Sequence, residues 1–373
     1  MKFIVNKEQL QNAITIVSRA LPSKTTNPSL LCIKFNLNES LILTTYNGEI
    51  SCEVKIDSKF IETTDNLVFL LDGDLISKIV AKLDAKDITF SKENNQMYVE
   101  ADETVYKLNL QDIMDYPEIV INEIEKPIII DSNDLRELID SVNFACAQNE
   151  KRPIIAGTHF FYEEGYLFAE ATDGYRLSKN KIKLPTVDNF SIVISSKSLS
   201  EIGKILLNYN CEVSISITDN SATFIFSNVK IETKLTEGVY PETQRLFPTN
   251  IDFDVILNKT ELLKTVEKVI LLSNKDKETN YNVIRMTLKN DQSIDFFSNN
   301  KDMGNANAAI SCKNDVNGHS IVISFSSKHL LEAVKAITAN EIKFQFVNNV
   351  KPFILKGNED EKGLHLILPI RNI

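Results

Sequence analysis

Six times along the chain, a short apolar run meets a polar residue and then a stretch whose leucines and isoleucines recur every three or four positions. "FIVNKEQLQNAITIV" is the first, and "IIIDSNDLRELIDSV" and "DVILNKTELLKTVEKVI" repeat it. A second set comprises "LVFLLDGDLISKIVAKL", "SIVISSKSLSEIGKILL" and "SIVISFSSKHLLEAVKAI", the last two sharing "SIVIS". The short apolar run reads as a strand, and the longer period behind it as an amphipathic helix. Asn, Asp or Ser stands at each junction, where a side-chain oxygen can cap the first free N–H groups of the helix. Helices are therefore predicted over 7–20, 74–83, 134–147, 196–209, 259–272 and 327–339. Alternating stretches such as "CEVSISITDNSATFIFSNVKIETKL" read as antiparallel strands joined by Asp-Asn turns.

Leu10, Leu135 and Leu262 hold equivalent places about 125 residues apart, a period far longer than that of a solenoid. Three α+β domains are expected, over 1–123, 124–250 and 251–373, each doubled internally, with junctions at the polar "INEIEKP" and at "FPTNID". One turn recurs with them. Asp173-Gly174 in "AEATDGYRLSKNKI" stands where Asn47-Gly48 stands in "TTYNGEIS" and where "SNNKDMGNA" lies in the third copy. A two-residue hairpin turn is predicted, because its central positions must tolerate positive φ. The turn belongs to the architecture. Tyr175 and Arg176 give way to Glu49 and Ile50 in the first copy, so the residues after the turn are particular to the second.

Composition narrows the chemistry. At 43% hydrophobic and 25% charged, the 373 residues fit a soluble globular protein of several domains. No apolar run approaches the roughly 18 residues of a membrane span, and the start is too polar for a secretory leader. Five scattered cysteines without a CxxC pair point to reduced thiols in the cytoplasm. A net charge of −10 argues against a basic footprint averaged over the chain. The six predicted helices nevertheless carry 12 Lys or Arg against 9 Asp or Glu, so the acid lies elsewhere. No GxxxxGK[ST] or GxGxxG cradle and no GxSxG elbow occurs. His159, His319, His329 and His365 show no metal-ligand spacing, and Asp72 with Asp74 reads as a helix cap. A catalytic site assembled in space, such as a hydrolase centre near Asp173 and His159, stays open as an alternative.

The triple repeat, "ATDGYRLS", "EGVYPETQRLFP" and the terminal "LPIRNI" together resemble the bacterial sliding clamp family, the beta subunit of DNA polymerase III, over the full length. The resemblance implies three clamp domains, with helices lining the inside of a ring and antiparallel sheets outside. It implies a head-to-tail homodimer that encircles double-stranded DNA without sequence preference, as processivity factor of the replicative polymerase in replication and repair. No catalysis, metal or cofactor is implied, ATP being used by the clamp loader. The polymerase catalytic subunit, the clamp loader and repair polymerases would dock through short peptide motifs in a hydrophobic pocket between domains 2 and 3.

By position, that pocket takes Ile155, Thr172, Gly174, Tyr175, Arg176, Leu177, Pro241, Arg245, Leu246, Pro352, Ile367, Leu368, Pro369, Ile370 and Arg371. Arg176 and Arg245 would hold the peptide's polar or acidic ends. Implied DNA contacts fall on Lys24, Asn149, Arg152 and Lys197, and the implied seam sets Tyr106 and Leu108 against Leu271 and Leu272 of the other subunit. Many relatives have histidine where Tyr175 stands and an aromatic where Thr243 stands, and the chain runs two residues past Arg371. A repeat-built peptide-binding scaffold that does not enclose DNA would share these motifs.

Overall fold

Every first-set and second-set junction is capped as its sequence requires. In the computed structural model, which describes residues 2–56, 59–60, 66–121, 127–148, 151–274, 282–289, 291–360 and 362–370, Asn6, Asp72, Asn258 and Ser326 each accept the N–H three residues on. Ser195 does the same for Ser198, and Asp131 accepts from Asn133, two residues on.

The first repeat runs β1 (Lys2–Asn6), α1 (Lys7–Val17), β2 (Cys32–Leu37), β3 (Leu41–Tyr46), β4 (Ile50–Ile56), β5 (Lys59–Phe60), β6 (Leu67–Asp72), α2 (Gly73–Lys82), β7 (Asp87–Glu93), β8 (Gln96–Ala101) and β9 (Thr104–Asn109). The second runs β10 (Ile128–Asp131), α3 (Ser132–Val142), β11 (Gly157–Glu163), β12 (Tyr166–Thr172), β13 (Arg176–Lys183), β14 (Ser191–Ser195), α4 (Ser196–Leu206), β15 (Glu212–Ile217), β16 (Ser221–Phe226) and β17 (Val229–Lys234). The third runs β18 (Phe253–Asn258), α5 (Lys259–Val269), β19 (Val283–Leu288), β20 (Ser293–Asn300), β21 (Gly304–Ser311), β22 (Val322–Ser326), α6 (Ser327–Ala336), β23 (Glu341–Phe346), β24 (Phe353–Gly357) and β25 (Leu364–Ile367). Three predicted helices end early, their last turns tightening to 3-10 at Ser18–Ala20, Asn143–Ala145 and Ile270–Leu272.

Among the described residues the strands form four sheets, ordered β5-β1-β7-β8-β9, β10-β15-β16-β17-β4-β3-β2-β6, β14-β11-β12-β13-β25-β24-β23-β18 and β21-β20-β19-β22. The chain divides into two compact units, Met1–Asn133 with Glu201–Leu235 and Asp134–Ser200 with Thr236–Ile373. Each contains one joint between repeats made by antiparallel pairing, β4 with β17 in the first and β13 with β25 in the second. Stacked phenylalanines fill the first unit's core, Phe3 on Phe90 and Phe35 on Phe69, both at 4.9 Å. Phe325, Phe344, Phe346 and Phe353 do so in the second. Each such ring taken from water contributes about 2–3 kcal/mol.

The recurring turn is longer than predicted. The last ladder pairs are Tyr46↔Ser51 and Thr172↔Leu177, which leaves four residues in each loop. Only the glycines are left-handed, Gly48 at φ 97° and Gly174 at φ 89°. A side-chain oxygen does the remaining work. Oδ1 of Asn47 accepts from the N–H groups of Glu49 and Ile50, that of Asp173 from Tyr175 and Arg176, and that of Asn300 from Asp302 and Met303. This Asx arrangement replaces the mirror-image turn. No described helix is long and apolar enough to cross a membrane.

Candidate functional site

Asp173 takes the place of two asparagines in the sister copies, and its second carboxylate oxygen accounts for the change. Oδ2 accepts from Arg176 Nε at 3.0 Å. Arg176 is only 4% exposed; its Nη1 donates to the Glu332 carboxylate and its Nη2 to the Phe144 carbonyl at 2.6 Å, with the guanidinium over the Phe144 ring. In the sister copies a hydroxyl ties the hairpin to the end of the helix: Thr45 donates to Val17 O and Ser298 to Val269 O, both at 2.5 Å. The equivalent residue in the central copy is Ala171, which has no hydroxyl. Arg176 supplies that tie instead.

Two neutral histidines complete the cluster. His329 Nε2 lies 3.6 Å from Asp173 Oδ2, and burial, with help from Arg176 and Lys328, holds this imidazole down to about 3. His365 bonds Ser178 Oγ through Nδ1 at 3.0 Å, and burial beside Arg176 lowers it to about 4. Burial pushes the Asp173 carboxyl up, against the pull of Arg176 and two backbone N–H groups. The sign for the histidines follows from their depressed folded values. The unfolded chain binds their protons below about pH 6.5 and the folded chain does not, so stability falls with pH until the folded values near 3 and 4 are reached. At pH 5 each costs about 2 kcal/mol. Urea unfolding at pH 7.5 and 5.0 should show that loss, and His329→Gln with His365→Gln should flatten it.

Of the expected docking residues, Tyr175, Arg176, Leu177, Pro352, Ile367 and Leu368 meet at one end of β13, β25 and β24. Leu368 N donates to Tyr175 O at 3.0 Å, Ile367 pairs with both Arg176 and Phe353, and Pro352 precedes Phe353. Ile370 N donates to Ser324 O at 2.7 Å, which pins the tail. Tyr175 is 48% exposed, while Leu368, Pro369, Ile370 and Pro352 are half-buried. Ile155, Thr172, Leu177 and Ile367 are buried.

Pro241, Arg245 and Leu246 sit on a segment anchored by its neighbours. Thr243 Oγ1 donates to Glu170 Oε2 at 2.6 Å, and Tyr240 stacks on His159 at 4.7 Å. Thr243 thus supplies a buried hydroxyl for a buried carboxylate. Glu170 also meets His159 Nδ1 at 2.9 Å and Lys179 Nζ at 3.7 Å. Of the two arginines expected to hold a peptide's ends, Arg245 is exposed and, among the described residues, pairs with Glu242 at 3.0 Å. The Arg176 guanidinium is committed to three protein groups, and the structure gives it a positioning role instead. Glu170, Glu332, His329 and Phe144 were not singled out from the sequence; their partners lie up to 156 residues away.

Other expected positions are more scattered. Lys24 is exposed in a loop of the first unit; Arg152 and Lys197 are exposed in the second, beside a 3-10 turn and in the first turn of α4. Asn149 and Arg371 lie outside the described residues. Leu108 is buried and Tyr106 half-buried on β9; Leu271 is 80% exposed and Leu272 half-buried in their 3-10 turn. Asp173 and His159 share no bonding partner, since His159 bonds Glu170 and Ser191. Among the described residues no His, Cys, Asp and Glu cluster could hold a metal.

Comparison with known proteins covers the whole chain. Descriptions of the N-terminal, central and C-terminal domains of the DNA polymerase III beta subunit match residues 1–120, 129–242 and 244–371. The Beta sliding clamp of Staphylococcus aureus is 31% identical over 381 residues, covering 100% of this chain and 99% of its own. That of Staphylococcus epidermidis is 30% identical over 379 residues, with the same coverage. The crystal structure of the DNA polymerase sliding clamp from Bacillus subtilis matches with a TM-score of 0.92 at 30% identity, covering 100% of both chains.

Proposed function

Because the chain belongs to the DNA polymerase III beta subunit family, the bacterial sliding clamps, we propose that two copies close head to tail around duplex DNA and dock polymerases at the Tyr175 end of the β12–β13 hairpin. A sliding clamp is a processivity factor of DNA replication, not a catalytic subunit. Its three clamp domains here take the boundaries 1–123, 124–250 and 251–373, and it works without a cofactor in the cytoplasm. A closed ring holds DNA by topology, so retention does not require the phosphate neutralisation that makes ordinary binding fall steeply with salt. It also keeps a weakly held polymerase at high effective concentration near its template. Lys24, Asn149, Arg152 and Lys197 make the light, sequence-independent contacts with the backbone.

The observation that carries the ring is the repetition of the joint. β4, β13 and β21 are the same strand of the repeat, and so are β9, β17 and β25. Within the chain β4 meets β17 and β13 meets β25, which leaves β9 and β21 at the edges of their sheets. Unprotected edge strands invite pairing with another chain. The two observed joints share one register: Cys52↔Ile231 and Ser178↔His365 are equivalent pairs. Carried to the third joint, that register sets Ala306 of one chain against Tyr106 of the next, with Leu271 and Leu272 near Tyr106 and Leu108. Such a heterologous contact forms a closed ring only if its rotation closes, and six similar domains from two chains meet that condition.

For docking, Tyr175, Leu246, Leu368 and Ile370 offer an apolar anchor surface, and Arg245 an exposed charge for an acidic end. A labelled peptide from the C-terminal tail of the replicative polymerase tests this assignment by fluorescence polarisation. Leu368→Ala with Leu246→Ala should weaken binding about tenfold or more, as loss of central anchors does. Unchanged affinity would move the docking site elsewhere.

A further inference from the structure

We propose that the solvent face of strands β11, β12 and β13 is a binding platform for single-stranded nucleic acid. Alternation puts every second residue of these strands outward. On that face Tyr166, Phe168, Phe161 and His159 make a continuous ladder of rings. Phe161 and Phe168 stack at 4.9 Å and 8°, His159 stacks on Phe161 at 4.9 Å, and Tyr166 leans on Phe168 at 6.3 Å. Tyr240 covers the His159 end, leaving Phe161, Phe168 and Tyr166 half-open to solvent.

Lysines flank the ladder along one edge. Lys179, Lys181 and Lys183 alternate on β13, opposite Glu170, Phe168 and Tyr166. Two of the three ammonium groups reach back over the rings: Lys179 lies 5.0 Å from Phe161 and 4.9 Å from Phe168, and Lys181 lies 4.7 Å from Tyr166. Of the acids on this face, Glu170 is buried and held by His159, Thr243 and, at 3.7 Å, Lys179, while Glu163 sits at the rim beside Lys181 and Lys183. In a chain with net charge −10, open aromatic rings beside three lysines are a local departure.

The chemistry favours unpaired bases. Alternate residues of a strand are about 6.7 Å apart, close to the repeat of successive phosphates in an extended single strand. A base stacking on an aromatic ring gains more than an exposed ammonium does over the same ring. An arriving base would therefore displace Lys179 or Lys181 toward a phosphate. Duplex DNA, with its bases already stacked, cannot use the rings. The polar row from Ser191 through His159 to Glu170, bonded at 2.9 Å on each side, fixes the imidazole at the end of the ladder.

Fluorescein-labelled dT12 and rU12 titrated with the whole protein test the platform. Phe168→Leu should weaken both about tenfold, and an abasic strand should bind the unaltered protein about as weakly. Lys181→Ala with Lys183→Ala should also weaken binding and lower the salt slope by about 1.4, roughly 0.7 for each phosphate no longer neutralised. That surface pair should leave the melting temperature and loading onto circular duplex unchanged. The platform is overturned if no binding is detected, or if binding ignores both variants and is lost in Lys24→Ala with Lys197→Ala. It is equally overturned if polyglutamate competes as well as dT12 and Phe168→Leu has no effect, the result for an acidic protein partner.

Discussion

Mild oxidation of a Tyr106→Cys, Ala306→Cys variant should convert the 42.2 kDa chain almost wholly into a covalent dimer on non-reducing gels. The expectation rests on geometry already used twice within the chain. Leu368 N bonds Tyr175 O, so alternation along β13 and β25 makes Ser178 and His365 a non-hydrogen-bonded pair, with Cα atoms about 4.5 Å apart. Their side chains do meet, at 3.0 Å. A disulfide tolerates Cα separations of roughly 4.4–6.8 Å, so cysteines in the equivalent places at the seam are within reach. Because both seams of a head-to-tail dimer carry the pair, the product should be a closed, doubly linked species that migrates differently from a singly linked one. Neither single-cysteine variant should form it. The five native cysteines are free, and three of them are buried, which keeps the background low. A protein that is dimeric in solution yet remains uncrosslinked would show that other edges, or another register, make the contact.

Arg176→Ala should be the most damaging single substitution around the proposed docking surface. Removing one partner of a buried ion pair typically costs about 3–5 kcal/mol, because the remaining charge is left without compensation. Here Asp173 and Glu332 lose the guanidinium together, Glu332 keeping only Lys328 at 4.0 Å among the described cations, and the Phe144 carbonyl loses its donor. Urea unfolding should show the transition of the unit holding residues 134–200 and 236–373 moving to lower denaturant. The other unit, which contains none of these groups, should move little. Arg176→Lys should not rescue, since one ammonium cannot satisfy three groups placed for a planar fork. By contrast, Arg245→Ala should change stability by under about 1 kcal/mol, as its ion pair is exposed. An Arg176→Ala protein as stable as the parent would remove the positioning role.

Much of the architecture was legible in the chain. Strand–helix periods placed all six helices, because an amphipathic face and a capping oxygen are local properties. Tightening of the last turn at Ser18, Asn143 and Ile270 was not legible, since 3-10 and α turns bury nearly the same positions. Turn length was misread for a related reason: "DG" and "NG" signal positive φ, but the Asx oxygen that lengthens the loop looks the same in sequence.

For the proposed docking surface, the resemblance alone named the segments. Which side chains face solvent could not be named, and Arg176 looked like a reaching residue until Glu332 and Phe144 appeared beside it. The joint β4–β17 and its copy β13–β25 also lay beyond reach. A sheet edge is defined by what fails to pair with it, and no single strand carries that information.

The most direct measurement is retention on circular DNA. The protein is loaded onto a nicked plasmid with its clamp loader and ATP, passed through gel filtration in high salt, and compared before and after the circle is cut. A ring held by topology stays on the intact circle and leaves once ends exist; sealing the seam after loading, through the two introduced cysteines of the crosslinking variant, should not alter this. Protein that washes from the intact circle, with the loader proven active on another clamp, would contradict encirclement and leave a peptide-binding scaffold.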